Sequence, residues 1–150
     1  MVKIKREYLA IVICFVTVVI DQIIKLISRN VSKAYDFILF DFTFVKNTGS
    51  AFGMFKNHNL MLTGIAVVFV TVFLFYYRYI LKEQYYYAYF LILGGAISNL
   101  FDRLYFGYVT DFVSILSFPV FNVADVAISV GGAILVYSII KEEIIKRLKK

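Results

Sequence analysis

The 150-residue chain has few of the residues on which several catalytic mechanisms depend. It contains one cysteine, Cys14, one histidine, His58, and one proline, Pro119. A single cysteine excludes a disulfide within the chain, and a Ser–His or Cys–His nucleophile would depend entirely on His58. The sequence has no HExxH zinc motif and no glycine-rich phosphate loop of the Walker type. These chemistries therefore lack most of the partners that they need.

Linkers and repeats are absent as well. No stretch rich in Pro, Gly or Ser divides the chain, and no segment repeats another. Too little sequence lies outside the long apolar stretches to form a separate soluble domain. We therefore expect one integral membrane domain over residues 1–150.

Apolar residues are abundant. They make up 61% of the chain, compared with roughly 45–50% in soluble domains. A helix needs about 20 apolar residues to cross a bilayer, and four windows qualify: 8–27, 60–80, 86–104 and 123–140. The sequence thus predicts an all-α membrane protein with four transmembrane helices. The first window has no small-residue cleavage site and is interrupted by Asp21 and Lys25, so we expect a retained span and not a cleaved signal peptide.

The basic residues predict the orientation of these spans. The four spans place both chain termini on the same side of the membrane. Six of the 16 Lys and Arg residues lie at or beyond the span ends on the other side. The other ten lie on the side of the termini: Lys3, Lys5, Arg6, Arg78, Lys82, Lys141, Lys146, Arg147, Lys149 and Lys150. The positive-inside rule therefore predicts cytoplasmic termini. The basic tail suits the anionic lipid of an inner leaflet, and we do not expect a nucleic-acid partner, because no soluble segment combines basic and aromatic residues.

A short segment between the first two spans has a different pattern. Ile38, Phe40, Phe42 and Phe44 alternate with other residues, which is typical of a strand. The turn-forming residues 47–50 follow it. We predict a small extracytoplasmic β-rich region, which is either a surface hairpin without chemistry or one wall of a substrate groove.

Several polar residues lie within or beside the spans. Asp21 and Lys25 are spaced i,i+4, which favours an ion pair on a helix. Asn99, Asp102 and Arg103 share one face near the outer end of the third span. An unpaired charge there would cost about 2.5–3.5 kcal/mol, so we expect Arg103 to neutralise Asp102. Both pairs are interpreted as scaffold.

Two further carboxylates have no evident partner. Asn122 is a good N-cap for the fourth span, and Asp125 would then stand at N3 and could be only a helix cap. Asp111 lies in an extended or looped segment without a nearby cation. Two aspartates can share one proton, so that one acts as base toward water while the other polarises a carbonyl, as in aspartic proteases. Binding of a hard divalent cation is the minor alternative; we expect no metal and no cofactor.

Five sequence blocks extend this interpretation. They are DQIIK (21–25), KNTGSAF (46–52), GGAISNLFDR (94–103), VTDF (109–112) and FNVADVAISVG (121–131). In this order, and with four spans, they resemble the bacterial lipoprotein signal peptidases (signal peptidase II). One residue departs from the pattern, since Ser98 stands where the family usually has Gly.

The resemblance implies specific roles. Asp111 and Asp125 would be the catalytic dyad of an aspartic endopeptidase at the outer face of the bacterial cytoplasmic membrane. Its substrate would be a prolipoprotein, cut on the N-terminal side of a diacylglyceryl-modified cysteine, and we expect a monomer. The family's substrate-binding or dyad-ordering positions match Asn47, Asn99, Arg103 and Asn122, and supporting positions match Asp21, Lys25 and Asp102.

Two other functions compete with this one. A small proton-coupled transporter would place ionisable residues near the bilayer midplane, but the middles of the second, third and fourth windows have none. A noncatalytic scaffold would explain the small residues of the third and fourth spans, but it gives no reason for Asp111. The peptidase is preferred to both.

Overall fold

The four apolar windows coincide with α-helices. The structure is a computed structural model that describes residues 5–31, 34–38, 40–49, 58–116 and 118–149. Within these ranges the element order is α1 (Arg6–Arg29), β1 (Tyr35–Asp36), β2 (Asp41–Asn47), α2 (Asn59–Ile80), α3 (Tyr86–Phe106), β3 (Val109–Ser114) and α4 (Val123–Leu148). The predicted combination of helices with a small β region is confirmed.

Three of the helices in the described residues, α1, α2 and α4, are long and apolar enough to cross a membrane. The remaining helix, α3, has 21 residues, but tyrosines at its start and polar residues near its end make it less apolar. It is also the central helix, because it packs against α1, α2 and α4. Nine of its residues are buried, compared with only Phe73 in α2. The polar side chains of α3 therefore face protein.

Glycines allow α3 to approach its neighbours closely. A Cβ on Gly95 would lie 2.5 Å from the carbonyl oxygen of Ala124, and one on Gly131 would lie 2.6 Å from that of Ala88. Neither side chain could be added without moving the backbone of the facing helix. The α3–α4 interface is thus set by small residues, as is common between membrane helices.

The strands form one antiparallel sheet in the order β1-β2-β3. In the β2–β3 register Val45 pairs with Asp111, and Asn47 pairs with Val109. The alternating pattern predicted a strand from residue 38, whereas β2 begins at Asp41. Leu39 of the predicted strand and Ser50 of the predicted turn lie outside the described residues. This pairing brings the end of β2 beside Asp111.

The opposite end of the bundle is held together by Arg6. Its guanidinium donates to the carbonyl oxygens of Leu81, Lys82 and Glu83 at 3.1–3.2 Å, and it lies over the ring of Tyr86. These carbonyls belong to the turn between α2 and α3. The start of α1 and this turn therefore share one end of the bundle, and the sheet lies at the other.

Candidate active site

Asp111 and Asp125 come together at the junction of β3 with the first turn of α4. Asp111 lies on β3 and is 1% exposed, and Asp125 is at position N3 of α4. Asn122 contacts both carboxylates: its side-chain Nδ2 donates to Asp111 Oδ1 at 2.7 Å, and its backbone N–H donates to Asp125 Oδ2 at 3.3 Å. One asparagine, Asn122, thus holds both carboxylates by hydrogen bonds.

The cap that begins α4 holds Asp125 in place. Asn122 Oδ1 accepts from the backbone N–H of Asp125 at 2.9 Å, which completes a reciprocal capping box. A capping box satisfies two backbone donors that the first turn of a helix leaves free. Asp125 is therefore a helix cap, as one interpretation predicted. Its second carboxylate oxygen remains directed toward Asn99.

Two more asparagines complete the ring of donors around the aspartates. Asn47 Nδ2, at the end of β2, donates to Asp111 Oδ2 at 2.8 Å. Asn99 Nδ2, on α3, donates to Asp125 Oδ1 at 2.9 Å. Each oxygen of the pair therefore accepts a hydrogen bond from a neutral amide group. Such donors fix both carboxylates in position without adding a formal positive charge.

Arg103 lies on a different face of α3 from the one that was predicted. Its Nη2 donates to the carbonyl oxygen of Gly49 at 3.2 Å, and its buried Nε has no partner among the described residues. Asp102 instead lies 3.3 Å from Lys25 Nζ and 3.6 Å from Arg29 Nη2. The predicted Asp102–Arg103 pair is wrong, because successive helical residues point about 100° apart. Asp102 faces α1 and the backbone of β3, while Arg103 faces the residues that follow β2.

The predicted ion pair on α1 is present and completely buried. Lys25 Nζ lies 2.8 Å from Asp21 Oδ2, and both side chains are 0% exposed. Ser98 Oγ donates to the same Asp21 oxygen at 2.7 Å and accepts from Gln22 Nε2 at 2.9 Å. The residue that departs from the family's usual glycine is therefore part of this buried polar cluster.

The protonation of Asp111 is strongly perturbed. Burial raises the pKa of its carboxyl to about 7, and the charge of Asp125 contributes in the same direction. The donors Asn47 and Asn122 and the charge of Lys25 oppose the rise in this pKa. Below about pH 7 the pair therefore retains a proton that two isolated aspartates would have lost.

This pKa predicts the alkaline limb of a pH–activity profile. The raised pKa means that the proton is present below about pH 7 and is lost above it, so the acid that polarises a carbonyl disappears as the pH rises. We expect kcat/KM to fall above about pH 7, with an apparent pKa that belongs to the pair. The measurement is kcat/KM for a prolipoprotein from pH 4 to 10. A profile that stays flat or rises up to pH 10 would contradict this assignment.

Metal binding gives a different chemistry for clustered carboxylates. Among the residues that the structure describes, no group of three His, Cys, Asp or Glu side chains could hold a metal ion. Two carboxylates that contact the same asparagine, as Asp111 and Asp125 do, are also of the kind that can share one proton.

Comparison with known proteins identifies the family. The model of the family described as Signal peptidase (SPase) II matches residues 13–141. The chain belongs to the signal peptidase II family. It is 39% identical over 138 residues to the lipoprotein signal peptidase of Thermodesulfovibrio yellowstonii, covering 85% of this chain and 92% of that one. It is 44% identical over 140 residues to that of Caldanaerobacter subterraneus subsp. tengcongensis, covering 88% and 96%.

Two solved structures share the fold of this signal peptidase II chain. One bacterial membrane enzyme superposes with a TM-score of 0.81 at 23% identity, covering 89% of this chain and 88% of the other. A second gives a TM-score of 0.76 at 24% identity, covering 88% and 92%. The family predicted from the five blocks is confirmed, and family membership favours a peptidase of bacterial membranes over a transporter or a scaffold.

Sequence reasoning missed two residues of this signal peptidase II chain that support Asp102. Gln22 Nε2 donates to Asp102 Oδ1 at 3.0 Å, and Arg29 lies beside the same oxygen and over the ring of Phe106. Gln22, Lys25 and Arg29 are spaced i, i+3 and i+7. That spacing places them on one helix face, and it is the signal that could have revealed this cluster.

Proposed function

We propose that Asp111 and Asp125 are the catalytic dyad of an aspartic endopeptidase that removes signal peptides from diacylglyceryl-modified prolipoproteins. The observation that carries this proposal is that a buried carboxylate, Asp111, and a half-buried one, Asp125, contact the same asparagine, Asn122. Membership of the signal peptidase II family supports the choice of substrate. The bond cut is the one on the N-terminal side of the lipidated cysteine.

The reaction requires one proton on the pair. The ionised carboxylate takes a proton from water as the water oxygen attacks the scissile carbonyl carbon, and the protonated carboxyl donates to the carbonyl oxygen. Transfer of a proton to the amide nitrogen then breaks the C–N bond. The signal peptide leaves with a new carboxylate, and the cysteine leaves with a free α-amine. Peptide hydrolysis on this route needs no cofactor.

Asn47, Asn99 and Asn122 order the dyad in this proposal, while Arg103 binds the substrate. The buried Nε of Arg103, which has no partner among the described residues, is a donor that could reach a substrate carbonyl. A buried donor without a partner is costly, so a substrate that supplies an acceptor would gain affinity there.

The aromatic strand region supplies the wall on the solvent side. Phe37 and Phe40 stack with their ring centroids 4.7 Å apart, and both are more than 40% exposed. Phe42 packs on Phe112, next to the dyad, with centroids 5.7 Å apart. We propose that this exposed aromatic surface, formed by Phe37 and Phe40, clamps the substrate above Asp111.

The proposal also includes a topology. We propose that α3 crosses the membrane together with α1, α2 and α4, so that one domain has four spans and α3 is the span most covered by the others. Both termini then lie in the cytoplasm and the dyad lies at the outer face. The enzyme is proposed to act as a monomer that contacts lipid. The Arg6 contacts support this arrangement, because they hold the basic start of α1 and the α2–α3 turn at the end of the bundle opposite the dyad.

Thiol labelling tests the orientation. In a Cys14→Ala background, a cysteine introduced at Ser114 should react with an impermeant reagent applied outside the cell, because β3 lies at the outer end. A cysteine at Gln84, in the α2–α3 turn, should react only after the membrane is permeabilised. The reverse labelling pattern would place the dyad in the cytoplasm and contradict the proposed topology.

Chelation distinguishes carboxylate chemistry from metal chemistry. Purified protein in detergent should cleave a lipidated prolipoprotein at the same rate with and without an excess of EDTA, since the proposed reaction needs only the two aspartates and water. The matched control is EDTA saturated with Mg²⁺ before it is added. Activity that is lost in EDTA and regained with Mg²⁺ or Ca²⁺ would indicate a metal-dependent hydrolase.

A further inference from the structure

The side chain of Lys25 is completely enclosed, although it carries a positive charge. Its Nζ lies 2.8 Å from Asp21 Oδ2, 2.8 Å from Asn99 Oδ1 and 3.3 Å from Asp102 Oδ2. An ammonium group has three N–H donors, and each of them has an oxygen partner here. Replacing a buried ion pair by apolar residues is often neutral or stabilising. Stability alone therefore gives little reason for this arrangement. Each of the three partner residues also contacts a dyad aspartate or the backbone next to one.

The two carboxylates around Lys25 each hold the backbone next to one dyad aspartate. Asp102 Oδ2 accepts from the backbone N–H of Thr110 at 2.8 Å, one residue before Asp111. Asp21 Oδ1 accepts from the backbone N–H of Ala124 at 2.9 Å, one residue before Asp125. Lys25 links the two carboxylates. The relative position of β3 and α4, and hence of the dyad, therefore depends on a common ammonium group.

The third partner sets the direction of a side-chain amide. An ammonium group can donate only to the oxygen of Asn99, so the Nδ2 of Asn99 must point the other way, where it donates to Asp125 Oδ1. Asn99 Oδ1 also accepts from Asn122 Nδ2 at 3.2 Å, and the same Nδ2 donates to Asp111. Lys25 on one side and the Asp125 carboxylate on the other therefore fix the direction of the Asn99 amide, and loss of Lys25 removes one of these two charged partners.

We propose that Lys25 is a positioning residue for both dyad aspartates, acting through Asp102 on Asp111, through Asp21 on Asp125, and through the amide of Asn99 on Asp125. This proposal rests on the proposed function, because it assigns Lys25 a part in the same reaction. Lys25 itself touches neither dyad carboxylate within hydrogen-bond distance. Its effect should therefore be on kcat, while substrate affinity should change little.

The charge of Lys25 adds a second effect that an experiment can separate from positioning. It is one of the influences that lower the pKa of Asp111, so its removal should raise that pKa further. The other ionisable groups around Lys25 are Asp21 and Arg29 on α1, Asp102 and Arg103 on α3, and the dyad itself. All of these remain in place when only Lys25 is changed.

The test compares Lys25→Met, which keeps the length and removes the charge, with the wild type. We expect kcat to fall about 10- to 100-fold, as for lost alignment, and KM to change less than about threefold. The alkaline limb of the kcat/KM profile should move up by about half a pH unit. Lys25→Arg keeps the charge and should leave this limb at the wild-type pH even where its bulk lowers kcat.

A double variant separates positioning from folding. Lys25→Met leaves one uncompensated negative charge in the cluster, and Asp21→Asn removes it while an amide oxygen can still accept from Ala124. Lys25→Met/Asp21→Asn should therefore regain the thermal stability of the wild type but keep the low kcat, while its limb should move less than that of Lys25→Met because the two lost charges are opposite. It is also the variant to examine if Lys25→Met does not fold. A double variant with wild-type kcat would mean that Lys25 is only structural.

Ser98→Gly is the matched control within the same cluster. It removes the donor to Asp21 Oδ2 and restores the family's usual residue, but it leaves Lys25 and Asn99 in contact. It should lower stability and leave the alkaline limb unchanged, because the charge of Lys25 is retained. A limb that moves as far in Ser98→Gly as in Lys25→Met would overturn the proposal. The proposed function fails by a different result, namely full activity of an Asp111→Asn enzyme that still has Lys25.

Discussion

Asp111→Asn and Asp125→Asn should each lower kcat by about 100- to 10,000-fold, the range for loss of a general acid or base. Asparagine keeps the size of the side chain but cannot share a proton. Because the raised pKa of Asp111 reflects a burial cost, removing its charge should leave the folded state intact. The measurement is kcat on a lipidated prolipoprotein, together with a melting curve in the same detergent.

The control for these variants is Glu142→Gln. Glu142 is an exposed carboxylate in the last part of α4, at the opposite end of the bundle from the dyad. This substitution removes one negative charge in the same way and should leave kcat unchanged. An Asp111→Asn enzyme that retains most of the wild-type activity would show that the dyad has been wrongly assigned.

Removal of the lipid from the substrate should lower kcat/KM by about 100-fold or more, as expected when the reacting bond loses its alignment. A signal peptide is itself apolar, so its side chains distinguish the active site poorly from the surrounding bilayer. Each buried methylene of an acyl chain contributes about 0.8 kcal/mol. The lipid therefore anchors the cysteine at a fixed depth, which sets the scissile bond against Asp111 and Asp125.

The lipid prediction needs a substrate pair that differs only at the cysteine. The same prolipoprotein, with a free thiol or with a diacylglyceryl group, is compared at equal concentrations in one detergent. The wild-type enzyme is used throughout, so that dyad chemistry is held constant. Equal kcat/KM values for the two forms would refute depth-setting by the lipid, although the aspartic mechanism could survive that result.

Helix positions were predictable because hydrophobic windows are long and local. The second and third windows, 60–80 and 86–104, begin within one residue of α2 and α3. Helix α4 was predicted to end at residue 140 but continues to Leu148. The extra turns are rich in Lys, Glu, Ile and Leu, which are good or adequate helix formers in water, so the end of the apolar window did not mark the end of the helix.

The candidate site was predictable where sequence blocks marked it. Asn47, Asn99 and Asn122 were all named from the blocks, and in the structure each of them donates to a carboxylate of Asp111 or Asp125. The contact of Lys25 with Asn99 joins residues 74 positions apart. No periodicity along the chain reports such a contact, because it depends on how α1 packs against α3.

The wrong partner was predicted for Asp102 for the same reason, because its contacts depend on how α1 packs against α3. Asp102 and Arg103 are neighbours in the sequence, and opposite charges suggested a pair. The partners of Asp102 are on α1, where Lys25 and Arg29 lie one turn apart. Neutralisation of Asp102 by a cation was correctly expected, but the helix that supplies the cation could be identified only from the packing of the bundle.

The most direct test of the central claim is the intact mass of the products formed from a lipidated prolipoprotein by purified protein in detergent. The wild type should yield a free signal peptide and a mature chain that begins with the diacylglyceryl cysteine. The Asp111→Asn/Asp125→Asn double variant should yield neither. Cleavage at another bond, or the same products at the same rate from the double variant, would contradict the assignment of Asp111 and Asp125 as the dyad of a lipoprotein signal peptidase.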